Sequence, residues 1–327
     1  MKTMTSLTRL TRIGLLPILL WTSSCVDDSG TGIPPAGTGN PPAGASGATG
    51  YFRITLTEKT EISQGLPTVQ GRVYDGPMPS SLAWQETARS GACALYEPKA
   101  PFCSPSCGSG ALCVSDGVCK AYPKSVGVGK VTLSGVRTNA GAAGFAMDPV
   151  LNAYQPPAGV NLEYVPFAEG DPVTVSAAGN SEHAAFSLSA KAIARLVVLN
   201  DSIVMADGQP IQLRWTPPAK DVGSTVEVAV DISHHGGTRG KIECETADNG
   251  SLDIDASLLD ALKALGVSGW PQIQVTRKTA GASDLTSVDL EIESPITKLL
   301  SIPGLISCSG DGDCPEGKTC QLDLQCK

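Results

Sequence analysis

Four cysteines close the chain at a fixed step: Cys308, Cys314, Cys320 and Cys326 fall every six residues in CSGDGDCPEGKTCQLDLQCK. Thiols in such a row admit three chemistries: metal ligation, redox exchange or disulfide formation. Zinc sites usually space their Cys pairs two to four residues apart, whereas here five residues separate each Cys from the next. No CxxC occurs in the chain, which argues against a thioredoxin-like redox centre. Disulfides are the expected state, with no metal, if the chain reaches an oxidising compartment.

The N-terminus addresses the compartment. Lys2, Arg9 and Arg12 form a positive region, and no acid precedes Cys25. Ile13 to Trp21 make a nine-residue apolar core, too short for a helix crossing a bilayer of ~30 Å. With the small residues Thr22, Ser23 and Ser24 after it, the segment 1–24 reads as an export signal. The Cys directly behind it resembles the lipobox of bacterial lipoproteins, although Thr22 stands where Leu is usual. That resemblance implies a lipid on Cys25, cleavage before it, and a membrane as partner through the anchor. An ordinary signal peptide cut nearby is the competing reading. Parity favours the lipid: eleven Cys are odd, and setting Cys25 aside leaves ten that can all pair. Residues 25–50 are mostly Gly, Pro, Ala, Ser and Thr, with PPAG written twice. So little apolar surface cannot offset ordering entropy, and the segment reads as a flexible tether with a span of roughly 25–30 Å.

The cysteine run occurs twice. CGSGALCVSDGVCK at 107–120 aligns without gaps with CPEGKTCQLDLQCK at 314–327. Cys107, Cys113 and Cys119 match Cys314, Cys320 and Cys326, and each copy has a fourth Cys upstream, Cys103 and Cys308. Stretches this short cannot bury a core and need staples. Each is expected to hold two disulfides, and four Cys leave three pairings open. The pattern resembles small Cys-rich repeats of exported bacterial proteins and the Cys-rich module of Dickkopf-type proteins; the resemblance implies no activity. Asp311 and Asp313 lack the rest of an EF-hand loop and read as turn carboxylates. Cys93 and Cys244 are the two left over, so a long-range disulfide between them is expected.

The elements that must position these groups are strands. Short segments such as YFRITLTE, VNLEYV, ARLVVLN, STVEVAVDI and GKIECET are set apart by Gly, Pro, Asn and Asp, and many alternate with period two. Asn249-Gly250 between GKIECET and SLDID predicts a two-residue hairpin. ASLLDALKALG predicts one helix, with Leu258, Leu259, Leu262 and Leu265 on a stripe, Ser257 and Asp260 at its start and Gly266 at its end. The expected class is mainly β: one or two antiparallel, immunoglobulin-like β-sandwich domains, one short helix and two small disulfide-stapled Cys modules. The first β domain is expected over 51–179 and carries the Cys module 103–120. A β-sandwich is expected over 180–302, with Trp215 of LRWTPP in its core, and the C-terminal Cys module over 303–327. The segments from GACALYEPKAPFCSPSCGSGALCVSDGVCKAYP through VGKVTLSG and FAEGDPVTVSAAGN to IECETADNGSLDI resemble exported lipoproteins of myxobacterial type. This resemblance implies an envelope location and a β-rich body, and supplies no catalytic residue.

Other chemistry is thin. The three His are His183, His234 and His235. No GxSxG, HExxH or Walker A pattern occurs, and the HHGG run at 234–237 reads as a surface loop. Asp231, Glu243 and Glu245 alternate with apolar residues and read as solvent-facing. Removing Lys2, Arg9 and Arg12 from the 24 basic residues leaves 21 against 32 acidic ones, net −11, which disfavours nucleic acid as a partner. Trp84, Trp270, Tyr96 and Tyr122 are the candidate stacking platforms. The expectation is a membrane-anchored protein of the cell envelope, at the outer membrane. It has a non-catalytic structural or interaction role, no cofactor, and a surface protein or glycan as partner. A carbohydrate- or cell-wall-binding module is the alternative, with a hydrolase behind it.

Overall fold

A computed structural model describes residues 49–58, 65–80, 82–232, 239–283 and 286–327. Cys25, the signal, the first 24 residues of the tether, His234 and His235 lie outside the described residues. The strands of the first half are β1 (Gly50–Leu56), β2 (Pro67–Tyr74), β3 (Ala83–Ser90), β4 (Cys93–Lys99), β5 (Ala111–Ser115), β6 (Val118–Ala121), β7 (Ser125–Val126), β8 (Val131–Ser134), β9 (Gly144–Met147) and β10 (Ala153–Tyr154). There follow β11 (Pro172–Ala177), β12 (Phe186–Lys191), β13 (Ile203–Val204), β14 (Ile211–Arg214), β15 (Thr225–Asp231), β16 (Lys241–Ala247) and β17 (Ser251–Ile254). The helix α1 (Ala256–Ala264) precedes the long strands β18 (Gln272–Ser283) and β19 (Thr286–Ser301).

The chain is mainly β, and one large sheet organises it. Its strands run β10-β2-β1-β19-β18-β15-β16-β4-β3, with β7 on β2 and β13 on β19. Most pairs are antiparallel, but β1 lies parallel to β19, with Phe52 opposite Leu290 and Ile54 opposite Ile292. Period-two alternation gives each strand one apolar face. Phe52, Ile54, Leu290 and Ile292 face a four-stranded sheet, β12-β11-β8-β9, and make the first core with Leu133, Val175 and Leu188. Val228, Ile242, Ile273, Val275 and Ile296 face the β14–β17 pair and α1, and make the second core with Trp215, Leu258 and Leu262.

Both cores use the β18–β19 hairpin. Phe186 and Leu188 of β12 belong to the first core, while Cys93 and Leu95 of β4 belong to the second. Close packing at the shared hairpin depends on Gly281. A Cβ there would lie 2.1 Å from the Ser189 carbonyl oxygen of β12. Gly281→Ala should push β12 off β18 and cost roughly 1–3 kcal/mol, the usual penalty of overpacking. Thermal unfolding checks this, and an unchanged midpoint would show that the contact yields freely.

Three local expectations are corrected. Asn249-Gly250 does not close a hairpin: β16 pairs with β15 and β4, while β17 crosses over to pair with β14. Gly250 takes φ +94° and its carbonyl accepts the Trp215 backbone N–H, which steers the chain onto the second core. The helix cap is Asp255, whose side chain accepts the Ser257 N–H, two residues earlier than the expected Ser257; Asp260 instead accepts the Gly208 N–H. VNLEYV and ARLVVLN form no regular strand. The second of these is the passage from one core to the other, and Val198 makes a single bridge to Trp215.

Candidate functional site

The ten described cysteines form five disulfides. Cys93 on β4 and Cys244 on β16 stand directly opposite each other and are joined at Cα–Cα 4.0 Å. The first module pairs Cys103–Cys113 and Cys107–Cys119, the second Cys308–Cys320 and Cys314–Cys326. Both copies thus join first to third and second to fourth, the connectivity that the sequence left open. Sulfurs of Cys103, Cys107 and Cys119 lie close together, as do those of Cys308, Cys314 and Cys326. Each of these sulfurs is spent on a disulfide, so neither cluster offers a thiolate. Asp311 accepts the Cys320 N–H and Asp313 accepts that of Ser309, which makes them turn-fixing groups.

A polar hub sits where the two cores meet. Arg277 follows Ile273 and Val275 in phase on β18 and so points inward, with its side chain 1% exposed. Its Nε donates to Asp248 at 2.5 Å and one terminal nitrogen donates to Asp248 and to the Thr216 carbonyl. The other terminal nitrogen donates to the carbonyls of Ala194 and Arg195, both in the passage between cores. Asp248 also accepts from the Trp215 indole N–H and the Ser224 hydroxyl. Trp215 is therefore a core residue with its polar edge satisfied. The sequence reading missed this hub, although an arginine in step with Ile273 and Val275 was its signal.

The outward face of the large sheet carries the groups that can meet a partner. Near the β3 edge, Lys241 on β16 lies opposite Tyr96 on β4, and Tyr96 opposite Glu86 on β3. The Lys241 ammonium lies 4.1 Å from the Trp84 ring centroid and 2.5 Å from Glu243. The indole N–H of Trp84 and the second carboxylate oxygen of Glu243 have no hydrogen-bond partner among the described residues. Two of the expected platforms, Trp84 and Tyr96, are thus brought to one face beside an ion pair. The other two stand apart: Tyr122 follows β6 in the first Cys module, and Trp270 lines an open groove of about 510 Å³ with Ile203, Lys298, Leu299 and Ser307.

Farther along the same face, Arg53 bonds Glu291 at 2.6 Å and approaches Glu293 at 3.7 Å. Lys278 pairs with Glu227. Burial pushes the Glu293 carboxyl above its usual value, opposed by Arg53 and by the Thr55 hydroxyl bond. Burial and then Glu291 do the same to Asp289. A carboxyl raised on folding takes up protons in the folded state, so its contribution favours folding at low pH and is lost as pH rises through the folded value. Arg53 lies beside Glu293, which fits a charged sheet surface. Glu243 is likewise ion-paired, Glu245 is exposed, and the His183 backbone is fixed by Asn180 in a turn.

No family model and no curated protein matches the chain. Among solved structures it is similar to a two-domain fibronectin type-III segment of chicken tenascin, at 12% identity and TM-score 0.19, over 67% of this chain and 97% of that one. It is also similar to the FN1-FN3 domains of chicken CNTN1, at 8% identity and TM-score 0.20, over 70% of this chain and 71% of that one.

Proposed function

We propose that this protein is a lipid-anchored component of the cell envelope, with a non-catalytic structural or binding role. The observation that carries the reading is the complete pairing of the ten cysteines after Cys25. Five disulfides suit an oxidising compartment, and they leave Cys25, directly behind the export signal, as the odd thiol. The lipid would hold the chain to a membrane and present its disulfide-stapled body there. At least two acyl chains are needed for stable anchoring, and a lipidated N-terminal Cys supplies them. Support for a non-catalytic role comes from the outward face, where Glu243, Glu227, Glu291 and Glu293 are each engaged by a lysine or arginine.

Cys25→Ser tests the anchor. After a high-salt wash, which removes electrostatically held protein, the variant should leave the membrane fraction for the soluble one with its five disulfides intact. Retention in the membrane fraction through that wash would overturn the anchored reading.

A second reading is favoured by the Trp84–Tyr96–Lys241–Glu243 cluster. An indole and a phenol on one face, beside an ion pair, suit the ring faces and hydroxyls of a sugar. Trp84→Ala should abolish saturation-transfer signals from cell-wall saccharides if this patch is the site. Signals unchanged by the substitution would place binding elsewhere.

A further inference from the structure

The two Cys modules share a scaffold but not a surface. In the aligned copies, Val118 matches Gln325, and Phe102 precedes the first module Cys as Ser307 does in the second. Gly117 N–H donates to the Phe102 carbonyl, which sets Phe102 beside the β5–β6 turn and Val118. In the C-terminal copy the equivalent pair is a docking face: Ser307 and Gln325 both donate to the Gly269 carbonyl of the body. Gln325 is buried there, with Cys308 and Cys326. In the first copy the same two positions are apolar and open to solvent, Phe102 at 73% and Val118 at 51% exposure.

Their surroundings differ in charge as well. Residues 99–124 carry Lys99, Lys120 and Lys124 against Asp116 alone. Residues 303–327 carry Lys318 and Lys327 against Asp311, Asp313, Glu316 and Asp323. The first module together with its flanking lysines is thus a basic segment on an acidic protein. On β6, period two puts Val118 and Lys120 on one side, and the Tyr122 N–H bond to Gly110 extends that alternation to Tyr122, 46% exposed. Apolar tips, a tyrosine and lysines in one band match the interface of a bilayer, where aromatic rings sit at headgroup depth and lysines meet phosphate.

We propose that the first Cys module, through Phe102, Val118, Tyr122, Lys120 and Lys124, docks on an anionic lipid surface. The proposal takes its setting from the anchored reading. Each lysine contributes only modestly at such a surface, but an anchor on Cys25 would hold the module near the membrane and raise its effective concentration there. The rest of the body, being acidic, would be turned away.

The test uses the Cys25→Ser chain, which carries no lipid, so its outcome does not depend on whether Cys25 is acylated. It is mixed with phosphatidylcholine vesicles, with or without phosphatidylglycerol, and floated on a density gradient. Binding is expected to the anionic vesicles only, and added salt should weaken it. Lys120→Gln with Lys124→Gln should lower partitioning roughly 25-fold, at about fivefold per lysine. Phe102→Ser should lower it further without moving the unfolding midpoint, because Phe102 lies in neither core. No binding, equal binding to both vesicle types, or lysine variants that bind as the parent does would each overturn the proposal. Salt-sensitive self-association without vesicles, lost in the same lysine variants, would also overturn it and assign the face to a second copy of the chain.

Discussion

Arg277→Ala is expected to destabilise the protein by roughly 3–5 kcal/mol, the range for removing one partner of a buried ion pair. The substitution leaves the Asp248 carboxylate, 2% exposed, without its cation and with only the Trp215 and Ser224 donors. It also strips the carbonyls of Ala194, Arg195 and Thr216 of their donor. Asp248→Ala should cost a similar amount, because it leaves the guanidinium uncompensated and frees the Trp215 indole N–H. The double variant should cost less than the two losses added, with a coupling of at least about 1 kcal/mol. Urea unfolding of the four proteins measures the cycle. Single losses below about 1 kcal/mol would mean that the hub is solvated and that the two cores are held by apolar contact alone.

The Cys93–Cys244 disulfide should contribute roughly 4–5 kcal/mol, because it closes a long loop. Its ends are 151 residues apart in sequence and buried in the second core. It ties β4 to β16 from opposite sides of the first Cys module and most of the first core. Cys93→Ala with Cys244→Ala should therefore lower the global unfolding midpoint. Removing Cys103 and Cys113 instead should leave that midpoint in place, since neither residue belongs to either core and their module can open locally. Calorimetry of the two variants separates these effects. Equal shifts would show that the module unfolds with the body.

Much of this architecture is legible in the sequence for simple reasons. Alternation marks β1, β2, β15 and β19 because each has one apolar face, and the leucine stripe marks α1 for the same reason. Cysteine arithmetic points to Cys93 and Cys244 because the repeat accounts for the other eight. What the sequence hides is long-range. The parallel pairing of β1 with β19 depends on residues 238 apart meeting, as Arg53 and Glu291 do, and no local pattern encodes it. The Asn249-Gly250 turn misleads because the neighbouring Asp248 is drawn into the Arg277 hub, so the chain crosses the core instead of folding back on β16. The candidate surface is split in the same way. Trp84 and Tyr96 are visible as aromatics, but their meeting with Lys241 and Glu243 rests on the register of β16 against the β3–β4 hairpin, which lies far from it in sequence.

The central claim is that one cysteine carries lipid and ten are paired. Intact mass of the protein purified from membranes, before and after reduction and alkylation, tests it most directly. The account predicts an N-terminus at Cys25 bearing a diacylglycerol, and ten alkylatable thiols that appear only after reduction. An unlipidated chain beginning elsewhere, or thiols that react before reduction, would contradict it.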